Sequence, residues 1–331
     1  MTGATIRDVA RRAAVSVASV SRALNGLSSV HPDTRARVLA AAEALGYVPH
    51  AGARSLSLAR THAIGVVMPD LHGEFFSEVI RGLAGAASAR GYHLILSNID
   101  EGEDHMAAAL RAMRGRVDGL VAMAPHVAPP AFAALLPPRL PTVTINTPDY
   151  AGGPALRVDN RGGAAAVARH FVTIGRKRFA HIAGPAINAD ALERRDGFAA
   201  ALPAGTPIAM AEGDFTEAGG ARAMAELLTT DAAIDAVFVA NDMMALGALQ
   251  TLRDAGRRIP QDVAVAGFDD VPLARYVSLT TLRVNMADLG GRAATRLIDA
   301  LEGEGEGAGE VPTADLIVPP LIVRGTTVME P

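Results

Sequence analysis

The stretch Thr5-Ile-Arg-Asp-Val-Ala-Arg-Arg-Ala-Ala-Val-Ser-Val-Ala-Ser-Val-Ser-Arg-Ala-Leu-Asn-Gly26 decides how the rest of the chain is read. Thr5 followed three residues on by Asp8 has the form of a capping box, and Ile6, Val9 and Ala10 recur at helical spacing. A first helix is predicted over about Ile6 to Ala13. Ala14-Val15-Ser16 makes the turn, with Val15 pointing inward and Ser16 placed to cap a second helix that buries Val20 and Leu24. The other side of that helix is Val17, Ala18, Ser21 and Arg22. Past the Asn25-Gly26 stop, a third helix starts near Pro32, a residue suited to the first helical position, and ends at Gly46. Val38, Leu39, Ala42 and Leu45 are its expected inward face.

Two short helices joined at a tight turn suit a duplex groove. Small residues at 17 and 18 let the second helix approach base edges, and Arg22 carries a planar fork matched to guanine in the major groove. Ser16 and Ser21 suit phosphate contacts, which position rather than specify. The plain alternative is a three-helix module whose arginines are merely solvated, and charge distribution argues against it. Residues 1 to 60 hold eight arginines and no lysine against three acids, a net +5, whereas the 331-residue chain is −4 overall, leaving −9 for the remainder. A basic head on an acidic body is the footprint of nucleic-acid binding confined to one end.

The length and 50% hydrophobic content allow two or three cored units. Absence of cysteine excludes disulfides and thiolate metal sites, and the nine histidines lack metal-ligand spacing, so neither metal nor cofactor is expected. Met1 leads almost directly into the capped helix and no apolar run reaches membrane-spanning length. A soluble, cytoplasmic chain with no membrane partner is the expectation.

Beyond residue 62, β-rich apolar runs alternate with helical stretches. Strands are predicted at Ala63 to Met68, Tyr92 to Ser97, Gly119 to Met123, Pro141 to Ile145, Phe179 to Ala183, Ala236 to Ala240 and Val263 to Gly267. Helices are predicted at about Phe75 to Arg90, Asp104 to Arg114, Arg161 to Gly175, Arg194 to Ala201, Asp242 to Ala255 and Met286 to Leu301. Such alternation predicts an α/β body of two doubly wound, parallel-sheet lobes behind the all-α head. Ligands sit beyond the carboxyl ends of such strands, where Asp70, Asn146, Asn241-Asp242 and Asp269-Asp270 cluster polar groups. Asp242 and Asp270 read better as caps and turn formers.

Taken with Val30 to Tyr47, Ala53-Arg-Ser-Leu56, Ile64 to Asp70, Val239 to Ala248 and Gly267-Phe-Asp-Asp270, the chain resembles the lactose-repressor and galactose-repressor family of bacterial transcription factors over essentially its full length. The resemblance implies a periplasmic-binding-protein type of body and a sequence-specific regulator, most often a repressor. It divides the chain into a helix-turn-helix domain at 1–48, a hinge at 49–61 and an effector-binding and dimerisation domain at 62–331. The first lobe is expected at about 62–159 with part of 286–317, and the second at about 162–285 with 318–331.

By the same resemblance Thr5, Ser16, Val17, Ala18, Ser21 and Arg22 face a near-palindromic double-stranded operator, and Ala53 and Leu56 belong to a hinge helix entering the minor groove. Ala51 to Leu58 is too short to hold a helix alone, since isolated helices under about 12 to 15 residues are marginal in water. Leu56 is either a wedge between base steps or a linker residue packed on the body. Gly52 stands where the family usually has an apolar residue, which makes hinge folding harder.

The effector site carries over to Asp70, Phe75, Phe76, Asn146, Arg194, Phe215, Asn241 and Asp269, a set similar to sugar sites in which rings lie on aromatics. One of Phe75 and Phe76 is open to a core role. Val284 replaces a glutamine of many sugar-binding relatives and Met123 a polar residue of some, so a nucleoside, base or phosphorylated sugar stays open beside a sugar. The glycine-rich Glu302 to Gly309 carries carboxylates that repel phosphate, so it is no phosphate loop. No leucine heptads follow, so a homodimer is expected. The rival readings are a plain small-molecule binding protein, control by a protein partner, and a hydrolase using Asp242, Asp269 and Asp270. With no histidine-carboxylate cluster and no nucleophile elbow, the chain is not expected to be an enzyme.

Overall fold

The computed structural model describes residues 4–25, 30–48, 60–69, 73–99, 103–148, 153–230, 233–303 and 314–328. It divides into two units, one of Met1–Ala63 with Gly115–Asp118 and one of Ile64–Arg114 with Gly119–Pro331. The hinge positions Ala53 and Leu56, with Gly52, lie outside the described residues, as do Asp70 and 304–313.

The first unit contains α1 (Ile6–Ala13), α2 (Val17–Leu24) and α3 (Pro32–Ala44). Ala14 ends α1 in the left-handed region at φ 52°, which swings the chain into the turn. Ser16 then caps α2, its Oγ accepting the Ser19 N–H at 3.1 Å. Val9, Val20 and Val38 are fully buried among Ala10, Ala13, Ala23, Ala41 and Ala42, a small core made by close approach of alanine-rich faces. Leu39 does not join it and is 50% exposed. The inward face of α3 is Val38, Ala41 and Ala42, and one residue along a helix turns the side chain by about 100°, enough to carry Leu39 off that face. After the hinge, the Asp118 carboxylate accepts from Thr61 N–H, Thr61 Oγ1 and His62 N–H at 2.7 to 2.8 Å.

The second unit holds two sheets. The first is built from β1 (Ala63–Met68), β2 (His93–Asn98), β3 (Gly119–Met123), β4 (Thr142–Ile145), β5 (Ala155–Val158) and β11 (Ala314–Ile317), in the order β11-β5-β4-β3-β1-β2. All six residues of β1 are buried, as a parallel strand covered on both faces requires. Around this sheet lie α4 (Glu74–Ala89), α5 (Glu103–Met113), α6 (Pro129–Leu135) and α11 (Met286–Glu302). The second sheet, β7-β6-β8-β9, comprises β6 (Phe179–Ala183), β7 (Ile208–Glu212), β8 (Ala236–Val239) and β9 (Ala264–Ala266), all parallel. Its helices are α7 (Asn160–Thr173), α8 (Ala189–Ala201), α9 (Glu217–Thr230) and α10 (Asp242–Asp254). A short antiparallel pair, β10 (Thr281–Leu282) with β12 (Leu321–Ile322), stands beside it.

Three connections pass between the lobes, from β5 to α7, from β10 to α11 and from β11 to β12. Strands β5 and β7 and helices α6 and α9 were not expected from sequence, and α8 begins five residues earlier than its apolar spacing suggests. Helix α9 opens on Glu217-Ala-Gly-Gly220, a poor helix former by propensity. The reason is packing, because a Cβ on Gly220 would lie 2.1 Å from the Met244 carbonyl oxygen of α10.

Candidate functional site

On the head, the outward face of α2 is left free of internal work. Val17 is 41% exposed, Ala18 and Arg22 are exposed, and Arg22 has no partner among the described residues. Ser21 is half-buried and its Oγ accepts weakly from Asn25 Nδ2 at 3.5 Å. Thr5 is exposed, with its N–H and Oγ1 donating to the Asp8 carboxylate at 3.0 and 2.6 Å. That pair keeps Asp8 below the usual carboxylate range and ties the front of α1. Thr5 and Ser16 therefore act as caps in this structure, while Val17, Ala18 and Arg22 form an unobstructed surface on one side of one helix.

In the body, a cavity of about 230 Å³ lies between the carboxyl ends of the two sheets. The first lobe contributes Pro69, Phe75, Phe76, Ile99 and Met123, and the second contributes Asp190, Arg194, Phe215, Asn241 and Asp269. Phe75 and Phe76 meet edge to face with centroids 5.3 Å apart, and both line the cavity while packing on the core. Neither is a plain core residue.

Phe215 is held in the left-handed region at φ 66°, and its ring lies over Gly184, where a Cβ would come within 2.5 Å of two ring atoms. Asn241 lines the wall, yet its side chain is engaged: Oδ1 caps α10 by accepting Met244 N–H at 3.0 Å, and Nδ2 donates to the Phe215 carbonyl at 3.0 Å. It thus holds the strained Phe215 turn.

The charged pole is Arg194 and Asp269. The Arg194 guanidinium lies 3.7 Å over the Phe268 ring, donates through Nε to Asn160 Oδ1 at 2.8 Å and through Nη1 to the Ala240 carbonyl at 2.6 Å. Asp269, 4% exposed and strained at φ 115°, brings Oδ1 to 3.7 Å from Arg194 Nη1, and that oxygen has no hydrogen bond. Strained backbone persists where the surroundings over-determine it, and such positions concentrate at ligand sites. Burial pushes the Asp269 carboxyl up to about 7, against the opposing pull of Arg194.

Asn146 does not line the cavity. Its Oδ1 accepts Val158 N–H at 3.0 Å and its Nδ2 donates to Asp190 Oδ2 at 3.1 Å, which makes it a buried link between the lobes. Asp190, which sequence reasoning missed, does line it, and accepts Asn160 Nδ2 on its other oxygen at 3.0 Å. Burial pushes Asp190 up to about 6. The signal that could have found it is Asn188, which caps α8 by accepting Ala191 N–H and so places Asp190 in the first turn. The lobes also meet through Arg157 and Glu193 at 2.8 Å, Ala189 N–H and the Pro125 carbonyl at 2.9 Å, and Leu273 N–H and the Glu74 carboxylate at 3.1 Å.

Of the positions flagged by absence of polarity, Met123 lines the cavity and Val284 is buried away from it. The acids of the hydrolase reading are separately engaged. Asp242 accepts from Thr281 Oγ1 and Val271 N–H, and Asp270 pairs with Arg283 and Arg324. Among the described residues no group of acids and histidines could hold a metal ion, and no helix is long and apolar enough to cross a membrane.

Comparison with known proteins agrees with both halves. Residues 5–50 match the lacI family of bacterial regulatory proteins, and residues 168–327 match the periplasmic binding protein-like domain. The ribose operon repressor of Escherichia coli K12 is 37% identical over 308 residues, spanning 89% of this chain and 92% of its own. Catabolite control protein A of Priestia megaterium is 35% identical over 301 residues, spanning 87% and 90%. Among solved structures, the lac repressor dimer bound to operator and the anti-inducer ONPF superposes with a TM-score of 0.88 at 27% identity, covering 99% of this chain and all of that one. The complex of the transcriptional regulator CelR with cellobiose gives 0.69 at 30% identity, covering 98% and 99%. A head that leaves one helix face free for DNA, joined in sequence to a two-lobed body with a polar-ended cavity, is what these relatives share, and the chain belongs to the LacI family of bacterial transcriptional regulators.

Proposed function

We propose that this regulator is a homodimeric repressor whose hold on a near-palindromic operator is set by a sugar or sugar derivative bound between the lobes of its body. In this reading residues 1–48 contact DNA, 49–61 couple, and 62–331 sense and dimerise. Val17, Ala18 and Arg22 read base edges, and Ser16 and Ser21 meet phosphates. Ala53 and Leu56 would serve the paired hinge. The observation that carries the sensing half is Asp269 Oδ1, a buried acceptor without a hydrogen bond facing the cavity beside Arg194. A ligand hydroxyl satisfies it, and the aromatic rings of Phe75, Phe76 and Phe215 suit the C–H faces of a sugar. Relatives that repress a ribose operon or are solved with cellobiose support that class.

The ligand would act by population shift. It binds one arrangement of the lobes better, and a coupling of about 1 to 3 kcal/mol between cavity and operator suffices for regulation. The test is selection of duplexes from a random pool by the full chain, followed by fluorescence anisotropy across salt and with a sugar panel. A preferred near-palindrome, steep salt dependence and a sugar-dependent change in affinity are expected. Binding without sequence preference, or operator affinity indifferent to every sugar that binds, refutes the reading.

A further inference from the structure

Resting on the regulatory reading above, we propose that the cavity takes an uncharged, single-ring polyol and rejects anionic ligands such as sugar phosphates. The wiring behind the cavity wall decides this. Asn146 Oδ1 is committed to the Val158 N–H, so its amide nitrogen must face Asp190 Oδ2. Asn160 Oδ1 is committed to Arg194 Nε, so its amide nitrogen must face Asp190 Oδ1 and Glu193. Neither amide can flip without losing a donor. Asp190 therefore meets an N–H on each oxygen, an arrangement only an ionised carboxylate satisfies, since a protonated one would turn its O–H toward an N–H. Its place in the first turn of α8 favours the anion further.

The pole of the cavity thus carries two buried carboxyl groups, Asp190 and Asp269, against Arg194, the only arginine or lysine among the described lining residues. Asp214, the third lining acid, is balanced outside by Arg222 at 2.6 Å. Arg194 cannot turn a bidentate edge to phosphate, because Nε and Nη1 already donate to Asn160 and Ala240 while its plane is fixed on Phe268. What remains unmet is an acceptor, Asp269 Oδ1, which calls for a ligand donor. A second buried negative charge brought beside it would stand uncompensated in a low-dielectric site. The first-lobe wall of Phe75, Phe76, Ile99 and Met123 offers ring contact, and about 230 Å³ is room for one ring, below the 300 Å³ or so at which small-molecule pockets usually begin.

The experiment pairs each sugar with its own phosphate: D-ribose with ribose 5-phosphate, D-glucose with glucose 6-phosphate, D-galactose with galactose 1-phosphate. Thermal shift and titration calorimetry are run on the full chain at pH 8, above the elevated Asp269 value, with Asp269→Asn in parallel. At least one neutral sugar should bind, its phosphate should bind at least about a hundredfold more weakly, and Asp269→Asn should narrow that ratio about tenfold or more. A phosphate that binds as tightly as its parent sugar, a ratio unmoved by Asp269→Asn, or no binding by any neutral member overturns the proposal. A neutral sugar that binds as described and leaves operator affinity unchanged removes the regulatory reading and leaves this one standing.

Discussion

The DNA-facing surface of α2 and the effector cavity are built on opposite terms. Val17, Ala18 and Arg22 take no part in the head's core, which is made by Val9, Val20, Val38 and small neighbours on the other side of the same helices. Arg194, Asp190, Asn241 and Asp269 are all buried, and three of the four carry hydrogen bonds that hold the body together. A site on a free face can change its specificity without touching stability. A site inside the frame cannot, because every ligand contact is also a strut, and this is what allows ligand binding to be felt across the lobes.

Arg194→Ala tests that difference at its largest. It leaves Asp269 and Asp190 without their cation and Asn160 without a donor, and breaking a buried charge pair costs about 3 to 5 kcal/mol. Urea unfolding of the full chain followed by circular dichroism should show the body losing stability by that order. A body as stable as the parent would place Arg194 outside the frame.

Arg22→Ala is the counterpart on the head. Loss of a bidentate base contact should weaken operator binding by about 1 to 3 kcal/mol while unfolding stays within about 0.5 kcal/mol of the parent. Equal loss on every DNA sequence would reduce Arg22 to a phosphate contact.

Gly184→Ala probes the cavity without altering charge. The new methyl would occupy the space of the Phe215 ring, so the ring should shift and sugar affinity fall about tenfold, with overpacking costing about 1 kcal/mol of stability. Unchanged sugar affinity would show that Phe215 does not touch the ligand.

The smallest effect is a pH dependence. Burial raises Asp269 to about 7 and Asp190 to about 6, with Asp242 also raised, so the native body binds protons that the unfolded chain, with carboxyls near 3.9, does not. These groups penalise folding above their native values and release that penalty as pH falls, the reverse of the usual paired carboxylate. From pH 8 to 6.5 body stability should rise by under about 1 kcal/mol through Asp269, and Asp269→Asn should flatten the rise. Below 6.5 the buried His181, lowered to about 4, opposes the trend because only the unfolded chain takes up its proton. A stability that falls from pH 8 to 6.5 would contradict the assignment of Asp269 as a buried acid.

How far each region was legible follows from the same contrast. The head's periodicity is local, so α1, α2 and the Ser16 cap follow from neighbours in sequence, and only Leu39 was misplaced by one helical step. In the body, β1, β3 and β6 announce themselves as apolar runs, whereas β5 is four residues interrupted by Arg157 and α9 hides behind Gly219 and Gly220. Asp269, Arg194 and the aromatic residues were named from their positions beyond strands and by resemblance. Asn146 was named for the wrong task and Asp190 not at all, because their roles depend on each other across the gap between two lobes.

Sequence by itself determined the elements whose reasons lie within a few residues: a capped helix pair with a free basic face, an acidic α/β remainder, and strand ends rich in polar groups. Tertiary structure alone decided which of those polar groups confront a ligand and which brace the frame. The physical reason is that a buried polar group must find its partner wherever the fold brings one, and for Asp190 the two amides come from the end of β4 and the start of α7, some 44 and 30 residues away in the chain.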